Sequence, residues 1–322
     1  MPEVSVIVPN YNYANYLKER LASILCQTFQ DFELIILDDK STDGSKEIIE
    51  EYRNHPRVSH IIYNDVNSGS PFIQWNKGVE LALGKWIWIA EADDFASNTL
   101  LEKLLNNAEQ YDNIVLSYCQ SNRMNSVGEI TGDWSDWTAE LDNQLFKDGF
   151  ALAGLEYVNK FLSKRNTIPN ASAVIFRRDV FFKVGKVDVE IKYCSDWLFW
   201  LKILTIGEVA FCSEKLNYFR FHEKSVIATS TETQMDILAK KRYLYFIESN
   251  FKKSDSIYSD MISLFNRIIS NEYEYEAKMF KNKGLMKKSI ISMWNAVKYR
   301  KSKSRIIYRF LFQYLFPVIK AK

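Results

Sequence analysis

Along the first hundred positions, short apolar runs alternate with polar stretches of roughly ten residues that carry helical spacing. Val4-Ser5-Val6-Ile7-Val8 is β-branched and halts at Pro9, the pattern of a buried strand. A loop rich in Asn and Tyr leads to a helical stretch over Tyr16 to Leu25, and the pair then repeats. Phe32 to Leu37 reads as a strand running into Asp38-Asp39-Lys40-Ser41-Thr42-Asp43-Gly44, and Ser45 to Arg53 as a helix. Val58 to Tyr63 and Trp86 to Ala90 are further strands, with a helix over Ile73 to Leu83 between them. This alternation predicts right-handed βαβ units and a mainly parallel sheet flanked by helices.

Beyond Leu105 the pattern is less regular. Ile114 to Cys119 and Ala171 to Phe176 read as strands, and Asp196 to Ile206 as a helix with Trp197, Trp200, Leu201 and Leu204 on one side. Val127 to Asp148 is polar and Trp-containing, which predicts a long functional loop. From about Thr229 the spacing is almost wholly helical, near Gln234 to Asn250, Ser254 to Lys281 and Leu285 to Val297. The chain therefore divides, on pattern, into an α/β domain over residues 1–228 and a helical region over 229–322.

Composition narrows the function classes. With 42 Lys and Arg against 40 Asp and Glu, the net charge is only +2, which gives no argument for a nucleic-acid partner. The charge is uneven, however: acids gather between Asp31 and Glu156, and Lys278 to Lys322 is strongly basic. Cys26, Cys119, Cys194 and Cys212 show no C-x-x-C spacing, so a zinc site or a disulfide scaffold is not expected and a reducing, cytoplasmic setting is. No basic start or cleavage site precedes the first strand, and no window reaches the roughly 18 apolar residues of a spanning helix.

The chemistry concentrates where strands should end. Glu91-Ala92-Asp93-Asp94 follows the run Trp86 to Ala90, and ligands of open α/β sheets bind beyond the carboxyl ends of strands. Oxygen ligands of this kind suit a hard dication, Mn²⁺ or Mg²⁺. Taken alone, the cluster reads more readily as a solvated acidic turn. Two more loops share its edge: Pro9-Asn10-Tyr11-Asn12, and the Asp38 to Gly44 string, which by itself is a turn and helix cap.

With these loops in order, the chain resembles the family 2 inverting glycosyltransferases, which have the Rossmann-like GT-A fold and use nucleotide-sugar donors. The resemblance spans roughly residues 3–227 and rests on VSVIVPNYN, ELIILDDKSTDGS, NSGSPFIQWNKGVELALGKWIWIAEADD, SDWLFWLKI and FRFHEKS. It implies a nucleotide-sugar half over residues 1–105 and an acceptor half over 106–228. Pro9, Tyr11 and Asp39 would lie at the nucleobase, and Asn12, Asn76 and Lys77 in the donor site. Glu91 would meet the ribose, Asp93 would bind the metal with Asp94 beside it, and His222 would stand at the metal or diphosphate. Asp196 would deprotonate the acceptor hydroxyl, a role compatible with capping its helix. Three positions depart from the family pattern. Glu91 stands where Asp is usual, Gln74-Trp75 replaces an Arg, and Ser195 replaces a Glu.

On the acceptor side, Asn170-Ala171-Ser172-Ala173 resembles a lining segment of some relatives. Trp134, Trp137 and Trp197 are candidates for stacking on sugar rings, with core packing as the plainer reading of each. The expected activity is inverting transfer from a nucleoside-diphosphate sugar, expected to be a UDP-sugar, to a saccharide or lipid-linked acceptor in bacterial surface-polysaccharide synthesis. The rivals are a nucleotidyltransferase and a catalytically inactive carbohydrate-binding or scaffold protein of the same fold. Finally, Ile306 to Ile319 is apolar and bracketed by Arg305, Arg309 and Lys320. That suits peripheral contact with the inner face of the plasma membrane, with a core helix or a homodimer contact as the competing reading.

Overall fold

The computed structural model describes residues 1–191, 194–223, 237–252 and 256–300. The chain divides into two compact units, Met1–Thr229 and Ser230–Lys322. The first opens with β1 (Val4–Asn10), α1 (Ala14–Leu25), β2 (Phe32–Asp38), α2 (Ser45–Glu50), β3 (Val58–Tyr63), α3 (Pro71–Leu81) and β4 (Trp86–Ile89). It continues with β5 (Phe95–Ala96), α4 (Leu100–Glu109), β6 (Ile114–Met124), β7 (Ile130–Asp133), α5 (Ser135–Asp148), β8 (Phe150–Ala153) and α6 (Gly154–Tyr157). Then come β9 (Val174–Arg177), α7 (Arg178–Lys183), α8 (Ser195–Ile203) and β10 (Glu208–Arg220).

These strands form one mixed sheet in the order β3-β2-β1-β4-β9-β6-β10-β5, with β7 on β6 and β8 on β10. The four strands of the first half are parallel, as the alternating pattern requires, whereas β9 runs antiparallel between β4 and β6. The chain winds outward from β1 to β3 and then returns to place β4 on the other side of β1. That reversal makes the β1/β4 boundary the switch point beyond which a crevice opens.

The core sits on both faces of this half. Val6, Val8, Leu34, Ile36 and Trp88 pack against Leu17, Leu21 and Ile24 of α1 and Leu101, Leu104 and Leu105 of α4. Because β1 is covered on both faces, its burial is continuous rather than alternating. On the opposite face α3 lies close to β1 at Gly78, where a Cβ would stand 2.4 Å from Ile7 Cγ2. Only glycine permits that approach, and the approach carries Gln74 and Trp75 up to the sheet edge.

Four expectations change. β1 continues through Pro9 to Asn10. The expected strand over Ala171 to Phe176 begins as a single 3₁₀ turn over Ala171–Ala173 and becomes β9 only at Val174. The expected loop over Val127 to Asp148 holds β7 and α5, and α5 breaks at Asp142, whose φ of −165° and ψ of 91° are extended. The longest strand, β10, lies in a stretch for which the hydrophobic pattern gave no strand.

The second unit contains α9 (Ile237–Asn250), α10 (Ser256–Asn282) and α11 (Met286–Lys298). Ile269, Tyr273 and Ala277 of α10 bury against Met293, Ala296 and Val297 of α11. Ser289 and Ser270 hydroxyls donate to Ala277 O and Ala296 O, at 2.5 and 3.0 Å, which keeps the polar groups of this contact satisfied. Among the described residues no helix is long and apolar enough to cross a membrane. The expected interfacial segment over residues 306–319 lies outside the described residues.

Candidate active site

The loops after β1 and β2 are sewn together by side chains. Asp38 accepts from Asn10 Nδ2 at 2.7 Å, Ser41 Oγ at 2.5 Å and Ser41 N at 2.9 Å, so this buried carboxylate builds the loop. Asn12 adopts a left-handed conformation with φ of 59°, which Asn tolerates. Its Oδ1 accepts from Thr42 N at 2.7 Å and its own N donates to Ser41 Oγ at 2.9 Å. Asn12 therefore clamps the two loops, while Pro9 is buried in β1 and Tyr11 projects into solvent.

Asp39 is buried and fully engaged. Its carboxylate accepts from Asn64 Nδ2 (2.6 Å), Ser68 N (2.9 Å), Ser68 Oγ (2.7 Å) and Gln74 Nε2 (2.9 Å). Four donors match the roughly four lone-pair sites of a carboxylate. Lys77 joins the same network, since its Nζ donates to Asn64 Oδ1 at 2.7 Å. Its charge is thereby tied to the Asp39 loop. Asn76 is spent elsewhere: its amide pairs with Val187 through both ends, at 2.9 and 3.1 Å.

Across the switch point, the acidic strand end is held from two sides. Trp75 Nε1 donates to Glu91 Oε1 at 2.7 Å, so the residue that replaces the family's usual Arg contacts the residue that replaces its usual Asp. Glu91 N donates to Ser172 Oγ at 3.1 Å, and Asp94 Oδ1 accepts from Arg220 N at 3.0 Å. Burial, with Asp93 adding to it, pushes Glu91 up to about 8 and raises Asp94. Asp93 is half-buried; its Oδ2 lies 3.0 Å from His222 Nε2, and its carbonyl accepts from Arg220 Nε at 2.9 Å.

His222 is wedged between the Tyr13 and Tyr16 rings, at centroid distances of 5.4 and 5.1 Å. Arg220 stacks over Tyr16 and donates to Glu19 Oε2 at 2.5 Å. The Arg-x-His segment thus fixes both the backbone and the side chain of Asp93. Lys224 and Ser225, the rest of that motif, lie outside the described residues.

Among the described residues, no group of three or more His, Cys, Asp or Glu side chains is arranged to hold a metal ion. The Asp93 and His222 donor atoms nonetheless fit one as a pair. Adjacent ligands of an octahedral cation with bonds of roughly 2.1 Å sit roughly 3 Å apart. Mg²⁺ and Mn²⁺ commonly take one or two protein donors and complete their shell with water and substrate phosphate.

Asp196 occupies the first turn of α8 and is half-buried. Its Oδ2 accepts from Asn166 Nδ2 at 3.4 Å, and burial pushes it up to about 6 against the opposing effect of backbone and Asn166 hydrogen bonds. Trp137 Nε1 donates to Asn166 O at 2.7 Å, which links Asp196 to an adjacent cleft. Trp134 and Trp137 meet edge to face there, and with Gln120, Ser121, Thr167 and Asn170 they line a narrow cleft.

Two acceptor candidates, Trp197 and Ser172, are placed differently from the expectation. Trp197 is core: it is 5% exposed and donates to Leu162 O at 2.9 Å, so its faces are not open to a sugar. Ser172 is fully buried and supports the acidic strand end by accepting from Glu91 N. Asn170, which lines the cleft beside Trp134 and Trp137, also caps the 3₁₀ turn by accepting from Ser172 N. Asn64 and Asn166 contribute here without any signal in the motifs, whereas Ser68, Gln74 and Arg220 stand inside the motifs quoted above with no supporting role assigned to them.

Residues 5–181, more than half of the chain, match the family model for glycosyl transferase family 2. The chain belongs to that family. The family 2 match takes in the Asp39 and Asp93 loops and stops short of Asp196 and His222. Among curated relatives, a putative teichuronic acid biosynthesis glycosyltransferase of Bacillus subtilis, TuaG, is 38% identical over 104 residues, 32% of this chain and 41% of that protein. The poly(ribitol-phosphate) beta-glucosyltransferase of Bacillus spizizenii is 28% identical over 200 residues, 59% of this chain and 31% of that protein. The chain thus spans less than half the length of these two relatives. In three dimensions, S. aureus TarS 1–349 in complex with UDP-GlcNAc aligns with a TM-score of 0.69 at 18% identity, over 92% of this chain and 81% of that one. The likeness is one of fold: a GT-A sheet followed by helices.

Proposed function

We propose that this family 2 protein transfers a sugar from a UDP-sugar to a saccharide acceptor of a bacterial cell-surface polymer, with inversion at the anomeric carbon. The observation that carries the reading is the Asp93–His222 pair, set at the switch point across from the Asp39 loop, with Asp196 on the acceptor side. A divalent cation, Mn²⁺ or Mg²⁺, held by Asp93 and His222 would neutralise charge on the diphosphate leaving group. Asp196 takes the proton of the acceptor hydroxyl as its oxygen bonds the anomeric carbon. The bond from that carbon to the diphosphate oxygen breaks and its electron pair leaves with the nucleotide. Asp196 suits the task because burial makes it a stronger base than an ordinary carboxylate while leaving it largely ionised at neutral pH. The relatives' names support a cell-wall polymer as acceptor, and the nucleotide sugar bound by TarS supports a uridine donor.

Thermal unfolding with nucleotide sugars tests the reading, because a ligand that binds the folded state raises its apparent stability. UDP-sugars with Mn²⁺ should raise Tm, and GDP- and dTDP-sugars should raise it less. Equal shifts with every nucleotide, or none, would remove the donor assignment.

One face of α11 favours a lipid-linked acceptor reached at the cytoplasmic side of a membrane. Ile291 and Trp294 are exposed there, the helix contains Lys287, Lys288 and Lys298, and it has no acidic residue. Apolar anchors among lysines suit an anionic bilayer surface. Vesicles containing phosphatidylglycerol should bind the full chain, neutral phosphatidylcholine vesicles should not, and Trp294→Glu should abolish the binding. Unchanged binding in that variant, or its conversion of a dimer to a monomer, would assign the face to something other than lipid.

A further inference from the structure

Arg20 lies on the buried face of α1 and is fully excluded from solvent. None of its three guanidinium nitrogens has a hydrogen-bond partner among the described residues. A guanidinium carries five N–H donors and a charge, and leaving all of them unmet in a core is costly. Packing does not require the cation. The same helix face buries Leu17, Leu21 and Ile24, and an apolar side chain would fill the space without the desolvation.

What surrounds Arg20 gives it a purpose. Its Cζ stands 4.8 Å above the ring of Trp88, a residue of β4. Trp88 Nε1 donates to Ser172 O at 2.8 Å, and the Ser172 hydroxyl accepts from Glu91 N at 3.1 Å and favours the ionised form of Asp94. Arg20 is thus one aromatic ring away from the serine that supports the acidic strand end. Burial lowers its pKa to about 10, with Asp94, Glu91 and Asp93 each opposing the fall, so it remains a cation at neutral pH. Glu91, Asp93 and Asp94 are the charged groups that act on it. Buried polar groups without protein partners are ordinarily served by internal water.

We propose that Arg20 is a positioning residue of the donor site: its buried charge, seated against the Trp88 ring that bonds Ser172 beneath Glu91, holds the acidic strand end so that Asp93 faces the donor. The role in donor binding rests on the proposed function; the coupling of Arg20 to the acidic strand end does not.

The test compares the full-length wild type with Arg20→Lys, Arg20→Met and the double variant Arg20→Met/Asp94→Asn. Two quantities are read: Tm, and UDP affinity by calorimetry with Mn²⁺ present. Arg20→Met should lose about tenfold or more in UDP affinity and lower Tm, while Arg20→Lys stays within about threefold, because removing one charge strands the other. The double variant should regain much of the Tm lost by Arg20→Met, which a space-filling role would not produce. UDP affinity within twofold of wild type in Arg20→Met, or a double variant no more stable than the single, overturns the proposal. If Arg20→Met does not fold, a double variant that folds supports the coupling and one that also fails overturns it. If wild type binds no UDP, the donor reading falls and the Tm comparison still judges Arg20.

Discussion

Replacing Asp93 with alanine should abolish Mn²⁺-dependent donor binding and lower transfer by roughly 10³-fold. The size follows from what the carboxylate faces: its Oδ2 meets His222 across 3.0 Å at the proposed diphosphate position, and alanine removes half of that pair. Folding should be spared, because the bond that ties this segment to Arg220 runs from the Asp93 carbonyl, which the substitution keeps. The variant should therefore unfold near the wild-type Tm while UDP affinity becomes indifferent to Mn²⁺. Wild-type UDP affinity that is already the same with and without Mn²⁺ would contradict the assignment.

Asp196→Asn should separate chemistry from binding. Asparagine keeps an oxygen to accept from Asn166, so donor affinity should hold, while transfer falls by roughly 10² to 10⁴-fold with the loss of the base. Wild-type kcat at saturating donor should also report this group. Burial raises Asp196 from the ordinary carboxylate value to about 6, and the base works only when ionised. The rate should be full above about pH 7 and decline as pH falls through about 6, well before a solvated aspartate would protonate. A rate flat from pH 7 to pH 4.5, or near-normal turnover in Asp196→Asn, would remove it as the base.

The parallel half of the sheet was legible because β1, β2 and β4 are buried on both faces and read as unbroken apolar runs. β10 was not. Its register against β6 shifts three times, and the irregularities put Ser213, Glu214 and Lys215 in the middle of the strand, which breaks any period of two. α8 was legible only in part. Trp197, Trp200, Leu201 and Leu204 read as one apolar side, yet Leu198, Phe199 and Ile203 are buried as well. A helix apolar on all sides belongs inside the protein. Within the site, the motif positions Asp39, Asp93 and His222 were legible. Their supports were not: Gln74, Ser172 and Arg220 act through contacts with partners distant in sequence, and Arg20 contradicts the expectation that an unpaired arginine stays at the surface.

The crowding around Asp39 bears on how a nucleotide would be held. With Asn64, Ser68 and Gln74 already filling both oxygens, a base N–H can reach the carboxylate only by displacing one of its present donors. Recognition there would be an exchange of hydrogen bonds, and an exchange yields little net free energy. Three of the four donors come from Asn64 and Ser68, on the segment between β3 and α3. Capture of a base there and anchoring of that segment would compete for one acceptor, so strengthening either would weaken the other.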